Sequence, residues 1–264
     1  MIESLIEDAN LSVAWAKALR HVVKNGSEVA PLIVSVTGFD QDGSVAEDER
    51  IRTTLERLLS SAKHQPIETV ASTIFPVSLW NPSAGRAQLF SRYERIRSRV
   101  RSASRENQHG VYFERMIAGG PSSEPNQLEF IISCFLKRSG VRRSVLQVAT
   151  FNPTEDHSAA AMRGFPCLQH VTFAPTSNGL NINAFYATQY MVERAYGNYL
   201  GLCRLGQFVA HELGLPLRRF TCFTGLALRE GNVSVKKLKP LTDALTQVLA
   251  ERESNLEDGS DEAR

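Results

Sequence analysis

The sequence lacks the long apolar run that a membrane-spanning helix requires. No segment of the 264-residue chain approaches the ~18–20 consecutive apolar residues that cross a bilayer. The first ten residues, MIESLIEDAN, carry acids where a secretory signal needs a basic region. We therefore predict a cytoplasmic protein with no membrane partner.

Cysteine is scarce and widely spaced. The four cysteines form no CxxC pair, and no histidine cluster has the spacing of a metal site; they are Cys134, Cys167, Cys203 and Cys222. The pattern predicts reduced thiols that mostly fill the core, and it predicts no bound metal.

The chain also lacks a strong charge of one sign. Its net charge is +2, with 42% hydrophobic and 22% charged residues, so bulk electrostatics does not require a nucleic-acid partner. One predicted helix, residues 88–105, is rich in arginine and resembles a phosphate-binding run. Glu94 dilutes its charge, and Phe90 and Tyr93 are its only aromatic residues, so a solvated helix face is the better interpretation.

The common nucleotide-binding and hydrolase motifs are absent. No GxGxxG, P-loop, HExxH or GxSxG occurs. Strand and helix patterns follow one another without regular βαβ alternation, which favours an α+β fold with a mixed sheet and helices on one face. We expect one domain over residues 1–251 and a frayed acidic tail over residues 252–264. The main predicted elements are helices at 1–25, 188–213 and 237–251 and strands at 31–39, 142–151, 169–173, 180–185 and 220–228.

One cysteine stands out by its position. Cys167 follows Pro166 directly and lies between two apolar strand patterns, where a bend in the backbone can present the sulfur to a pocket. A nucleophilic thiolate needs nearby cations to lower the thiol pKa. The candidates are Arg142, Arg143 and Arg163. On these features alone, a structural thiol remains the alternative.

Several motifs together resemble the thymidylate synthase and pyrimidine hydroxymethylase superfamily. The matching positions are the paired arginines Arg142-Arg143 before a strand, the turn Phe151-Asn152-Pro153, the pair Pro166-Cys167, Asn198 at the head of a long helix, and Tyr112. The resemblance covers residues 110–228. It implies a three-layer α/β fold and a homodimer packed sheet against sheet.

The resemblance also implies a role for each residue. Cys167 would attack C6 of a pyrimidine, which makes C5 nucleophilic. Arg142 and Arg143 would grip the nucleotide phosphate in the partner's site, because guanidinium forks suit a phosphate dianion. Asn198 would read the base edge, and asparagine at this position favours uracil, since its amide both donates and accepts.

Four further expectations follow from the same resemblance. Glu68 would organise proton transfers, and Thr188 would keep the hydroxyl of a family serine. Arg194 or Arg163 would replace an arginine that the family places at Ala187. The one-carbon donor would be a reduced folate, methylenetetrahydrofolate.

Departures from the family pattern keep two functions open. Leu168 stands where the family has histidine, Tyr190 where it has a folate-contacting aspartate, and residues 225–230 lack its ribose-binding segment. The first function is a divergent pyrimidine C5 methyl- or hydroxymethyltransferase of nucleotide metabolism. The alternative is a non-catalytic relative that binds a nucleotide or a protein partner.

Overall fold

A computed structural model describes residues 5–117, 126–137, 140–157, 165–230 and 235–261, with the backbone alone at 235, 253 and 255–261. In these ranges the strands are β1 (Leu5–Asp8), β2 (Glu28–Val29), β3 (Leu32–Val36), β4 (Gln147–Ala149), β5 (Leu168–Thr176), β6 (Gly179–Tyr190) and β7 (Leu217–Leu228). The α-helices are α1 (Leu11–Lys24), α2 (Glu49–Ser61), α3 (Ile67–Ile74), α4 (Arg86–Ala103), α5 (Tyr112–Ile117), α6 (Gln127–Lys137), α7 (Pro153–Asp156), α8 (Tyr196–Leu213) and α9 (Val235–Asp261).

The strands form one mixed sheet in the order β1-β3-β7-β6-β5-β4, and β2 pairs with the end of β7. β1 pairs with β3, and β6 with β7, in parallel. The other pairings are antiparallel. The mixed sheet confirms the α+β prediction at this level.

Two crossover connections place the main helices on one face of the sheet. α1 lies between the parallel strands β1 and β3, and α8 lies between β6 and β7. β6 and β7 run in the opposite direction to β1 and β3. The chain also moves across the sheet in opposite directions in the two units, β1-α1-β3 and β6-α8-β7. Right-handed crossovers, the strong rule for such units, therefore put α1 and α8 on the same side, and the two helices contact each other.

The core between helices and sheet fixes the start of α8. The Trp15 indole of α1 donates to the carbonyl of Met191 at 2.7 Å and packs edge-to-face on Tyr196. α3 approaches α8 closely because α8 presents glycine: a Cβ at Gly201 would lie 2.7 Å from the carbonyl oxygen of Ala71. These contacts set the spacing of the helices around the cavity described below.

The other face of the sheet is partly open. Residues paired across five strands form one row of half-exposed and exposed side chains, which are Ile33, Phe223, Phe185, His170 and Ala149. The Phe185 and Phe223 rings stack at 5.5 Å, and each residue is 38% exposed. This row supplies an apolar strip on the side away from α1 and α8.

Several predicted boundaries differ from the structure. The strand predicted over 142–151 is only Gln147–Ala149 and follows a 3-10 turn, Arg143–Val145. Residues 5–8, predicted as helix, form β1 in register with β3. The helix predicted over 188–213 begins eight residues later, because β6 continues to Tyr190 beside β7 and is followed by one π-helical turn, Met191–Ala195. α9 continues to Asp261, ten residues beyond its predicted end.

Within the described residues, no helix has both the length and the apolar character needed to cross a membrane.

Candidate functional site

A cavity of about 460 Å³ lies between the end of β6, the first turn of α8, α3 and α5. Five of the site residues predicted from sequence line it, although they come from five different segments of the chain; they are Tyr112, Cys167, Thr188, Arg194 and Asn198. A cavity of this size falls within the range of small-molecule sites.

The Cys167 thiol is half-buried in the cavity wall, one residue before β5. Its backbone carbonyl accepts a hydrogen bond from Ala187 at 3.0 Å, which fixes the bend that follows Pro166. Burial raises the pKa of this thiol above its ordinary value, and the charge of Arg194 opposes the rise. At neutral pH the ligand-free thiol is therefore protonated.

Tyr112 begins α5 and lies beside Cys167. Its hydroxyl accepts a hydrogen bond from the backbone N–H of Leu168 at 3.4 Å. Burial, reinforced by the neighbouring Cys167, raises its pKa to about 12. The phenol therefore keeps its proton and can donate a hydrogen bond beside the sulfur.

Two arginines line the cavity, and both have carboxylate partners. Arg194 lies on the π-helical turn and pairs with Glu193 at 3.0 Å and with Glu106 at 3.1 Å. Arg115 of α5 pairs with the buried Asp156 at 2.9 Å and donates to the Thr150 carbonyl at 3.0 Å. Arg115 is thus part of the wall, while Arg194 is held by more exposed groups.

The deep end of the cavity carries neutral polar side chains. Asn198 lies in the first turn of α8, and Gln189 near the end of β6 is 2% exposed. The Gln189 carbonyl accepts from Tyr199 at 3.0 Å and from Thr224 at 3.1 Å. Because two hydroxyls hold its oxygen, the Gln189 amide is fixed in orientation. Among the described residues its Nε2 and the Tyr186 hydroxyl find no hydrogen-bond partner.

Glu68, predicted to act in proton transfer, does not lie in the cavity. Its carboxylate binds Arg204 at 2.6 and 2.9 Å and also accepts from Arg52. These hydrogen bonds, that from Arg204 first, lower its pKa to about 2. Val70 and Thr73 of α3 line the cavity. Glu68 lies two residues before Val70, a turn of about 200°, so it projects from the other side of the helix.

The predicted phosphate-binding arginines lie elsewhere on this chain. Arg142 and Arg143 are exposed just before the edge strand β4 and are not among the cavity residues. The resemblance assigns them to the site of a partner subunit. Arg163, the remaining candidate cation, lies outside the described residues.

The arginine-rich helix α4 uses several of its guanidinium groups within the fold. Arg92 donates to the Leu79 carbonyl at 3.1 Å, and Arg97 pairs with Glu94 at 2.9 Å. Arg101 binds the buried carboxylate of Glu114. These contacts give structural roles to half of the charge run that resembled a phosphate-binding segment.

A reduced folate finds a poor match in this cavity. In the family that the sequence resembles, an aspartate contacts the folate. Here that position is Tyr190, an exposed tyrosine at the mouth of the cavity. A phenol has one hydroxyl and cannot replace the two acceptor oxygens of a carboxylate. In the ranges that the structure covers, no group of three His, Cys, Asp or Glu is arranged to hold a metal ion.

Sequence reasoning missed several polar residues of the cavity, among them Gln189 and Glu106. Gln189 is a polar residue in an otherwise well-packed strand, and that placement is a usable signal. Glu106 lies in a short 3-10 helix, Arg105–Asn107, that no pattern in the sequence singles out.

A scan against models of known protein families finds none that matches this chain, and a search of curated proteins finds no significant match. Function is therefore inferred from the chemistry of the site.

Proposed function

We propose that this protein binds a uracil-type pyrimidine nucleotide and activates its C5 position by adding the Cys167 thiolate to C6. The observation that carries the proposal is the meeting of Cys167, Asn198 and Tyr112 in one cavity. The same three residues are among those that the sequence resemblance predicts for the site. Thr188 and Arg194 line the same cavity and add a hydroxyl and a cation.

The polar groups suit a planar base with carbonyl and N–H groups. Asn198 offers both an amide donor and an acceptor at the deep end, which complements the O4 and N3–H edge of uracil. Tyr112 offers a protonated hydroxyl next to Cys167. A base held by its edge at Asn198 would lie across the cavity with its C5–C6 bond toward the sulfur.

The chemistry requires the sulfur to give its proton to water as the base binds. The Cys167 thiolate forms a bond to C6, the C5–C6 π electrons move toward C5 and the O4 carbonyl, and C5 becomes nucleophilic. A proton or a one-carbon electrophile then bonds to C5. Loss of the C5 proton and expulsion of the thiolate restore the double bond. With a one-carbon electrophile at the oxidation level of formaldehyde, the class of reaction is a pyrimidine C5 hydroxymethyl transfer. It becomes a methyl transfer only when the one-carbon donor also supplies a hydride.

Exchange of the C5 hydrogen tests this step without any one-carbon donor. Deoxyuridine monophosphate incubated with the protein in deuterium oxide should gain deuterium at C5, as read by mass spectrometry. The C167S variant should abolish the exchange, and the buried-thiol variant C134S should retain it. Absence of exchange in the wild-type protein would overturn the catalytic proposal.

A non-catalytic binding function is the second candidate, and one observation favours it. Burial raises the Cys167 pKa, and Arg194, whose charge opposes that rise, is neutralised by Glu106 and Glu193. A thiol of this kind is a weak nucleophile until a ligand changes its surroundings. Nucleotide binding without C5 exchange would support this second function.

We further propose that two copies pack through the open face of the sheet. The stacked Phe185 and Phe223 form the centre of its apolar strip. In such a pair, Arg142 and Arg143 of the partner subunit would supply the phosphate-binding charge that the described cavity balances with carboxylates. Sedimentation of F223D should show monomers if the face is the interface, whereas the charge change R97D on the far surface should leave dimers.

A further inference from the structure

An ion pair crosses the mouth of the cavity. Arg194 approaches from the π-helical turn, and Glu106 approaches from the 3-10 helix on the opposite wall. Their charged groups lie 3.1 Å apart. The Glu106 side chain is 72% exposed and that of Arg194 is 27% exposed, so the carboxylate is the more solvated partner.

The side chains that line the cavity change from neutral at its inner end to charged at its outer end. Gln189 and Asn198 at the inner end are neutral and almost fully buried. The charged pair Arg194–Glu106 lies at the outer end. Burying a charge without a partner is costly, so the neutral, hydrogen-bonding part of a ligand belongs inside and any anionic part belongs at the mouth.

We propose that Glu106 is a specificity-determining residue, because its carboxylate occupies the place on Arg194 that the anionic group of the ligand takes. The ligand class is a neutral polar ring that bears a phosphate or another multiply charged anion. The inference rests on the proposed function only in assuming that the ligand binds in this cavity. Nothing in the sequence resemblance assigned a role to Glu106.

The energetics favour displacement of Glu106 from Arg194 by a strongly charged anion. Exposed ion pairs contribute little stability, so releasing Glu106 into water costs little. A phosphate dianion offers more charge and more acceptor oxygens to the guanidinium than one carboxylate. Glu193 remains beside Arg194 at 3.0 Å and offsets part of its charge, so the number of acceptor oxygens that a ligand offers still matters. A neutral nucleoside would gain nothing from displacing Glu106.

Alkylation of Cys167 reports on this charge balance without the natural ligand. Two reagents, iodoacetate and iodoacetamide, alkylate a thiol in the same way. The thiolate sulfur bonds to the methylene carbon, and iodide leaves with the electron pair. Iodoacetate carries a negative charge and iodoacetamide does not. The ratio of the two rates at Cys167, measured by peptide mass spectrometry, therefore senses the local potential, while a change in the thiol pKa affects both rates alike.

The E106Q variant should raise the iodoacetate-to-iodoacetamide ratio about threefold, as expected when one charge is removed close to the reacting carbon near a protein surface. The R194M variant should lower the ratio by a similar factor. The control E94Q removes a carboxylate that pairs with Arg97 on the outer face of α4, and it should leave the ratio unchanged. An unchanged ratio in E106Q, or an equal change in E94Q, would overturn the proposal.

A measurement of ligand affinity tests this inference separately from the proposed function. E106Q should bind deoxyuridine monophosphate about two- to fivefold more tightly than wild type and should bind deoxyuridine with unchanged affinity. Equal gains for both ligands would count against a role for Glu106 in anion selection. If neither pyrimidine binds the wild-type protein, the proposed function fails, and the alkylation ratio alone decides the role of Glu106.

Discussion

The carboxylate of Glu230 accepts a hydrogen bond from the backbone N–H of Val192 at 2.9 Å, and both groups are buried. The same oxygen accepts from the N–H of Glu193 at 2.8 Å. Glu230 therefore satisfies two orphan donors at the start of the π-helical turn that carries Arg194. Its backbone has a positive φ of 82°, an uncommon conformation for a residue other than glycine.

This arrangement predicts a pH-dependent stability. Burial raises the pKa of Glu230 to about 8 from an ordinary 4.5, although the two backbone hydrogen bonds oppose the rise. The folded protein therefore holds this proton more tightly than the unfolded chain. Its contribution to the free energy of unfolding is complete below pH 4.5 and is lost as the pH rises through 8, by at most about 1.4 kcal/mol per pH unit.

The E230Q variant should remove this slope, because glutamine keeps an acceptor oxygen and does not titrate. Urea unfolding at pH 6, 7, 8 and 9 would measure the difference between the two proteins. The control E94Q changes an exposed carboxylate and should keep the wild-type slope. If the free energy of unfolding changed with pH in the same way in wild type and E230Q, Glu230 would not be the source of the slope.

Cys167 should be the most reactive of the four thiols. Cys134 is 8% exposed, Cys203 is 1% exposed and Cys222 is fully buried, whereas Cys167 is half-buried and faces the cavity. Because burial raises its pKa, the rate with iodoacetamide should still be rising above pH 9. Peptide mapping after brief alkylation measures the order of modification, and faster labelling of Cys134 would be inconsistent with the described cavity.

The pair Arg115–Asp156 should be important for the stability of the cavity wall. Both side chains are largely buried, and Asp156 also accepts from the backbone N–H of Asn152 at 2.8 Å. The R115M variant would leave a buried carboxylate without its cation and should cost about 3 kcal/mol of unfolding free energy. The matched variant R97M breaks an exposed pair and should cost less than about 0.5 kcal/mol, as urea titration can show.

Close helix packing beneath the cavity predicts a graded effect of glycine substitution. In G201A the new Cβ would meet the backbone of Ala71 at 2.7 Å, so α3 must move; we expect a loss of about 2 kcal/mol. In G206A the nearest atom is the Ile182 Cγ2 methyl at 3.0 Å, and a side chain can shift more easily than a backbone. Calorimetry should show a larger fall in Tm for G201A, and the reverse order would contradict the packing.

The sequence predicted the parts of the site that depend on residue type more successfully than those that depend on orientation. The residue type and position of Cys167 and the resemblance at Asn198 predict site residues, and the fold brings these two together. The resemblance predicts Glu68 as well, but its position relative to Val70 on α3 turns it toward Arg204 instead. Which side of a short helix faces a cavity depends on packing that local sequence does not encode.

Element boundaries failed where tertiary pairing overrode local pattern. Residues 188–190 have an amphipathic pattern that continues into α8, but their partners in β7 extend β6 to Tyr190. Leu5–Asp8 resembles the helix that follows, but it forms a strand beside β3. In both places the deciding contacts lie far away in sequence.

The cavity walls join residues from Val70 to Asn198, so no short fragment of the chain contains them all. Loop-closure entropy must be overcome before such distant segments meet, and the docking of α8 against α3 has to precede any completed pocket. A chain still emerging from the ribosome therefore lacks this cavity until the start of α8 has been synthesised. Any ligand bound there would stabilise only those chains in which α8 and α3 have already docked.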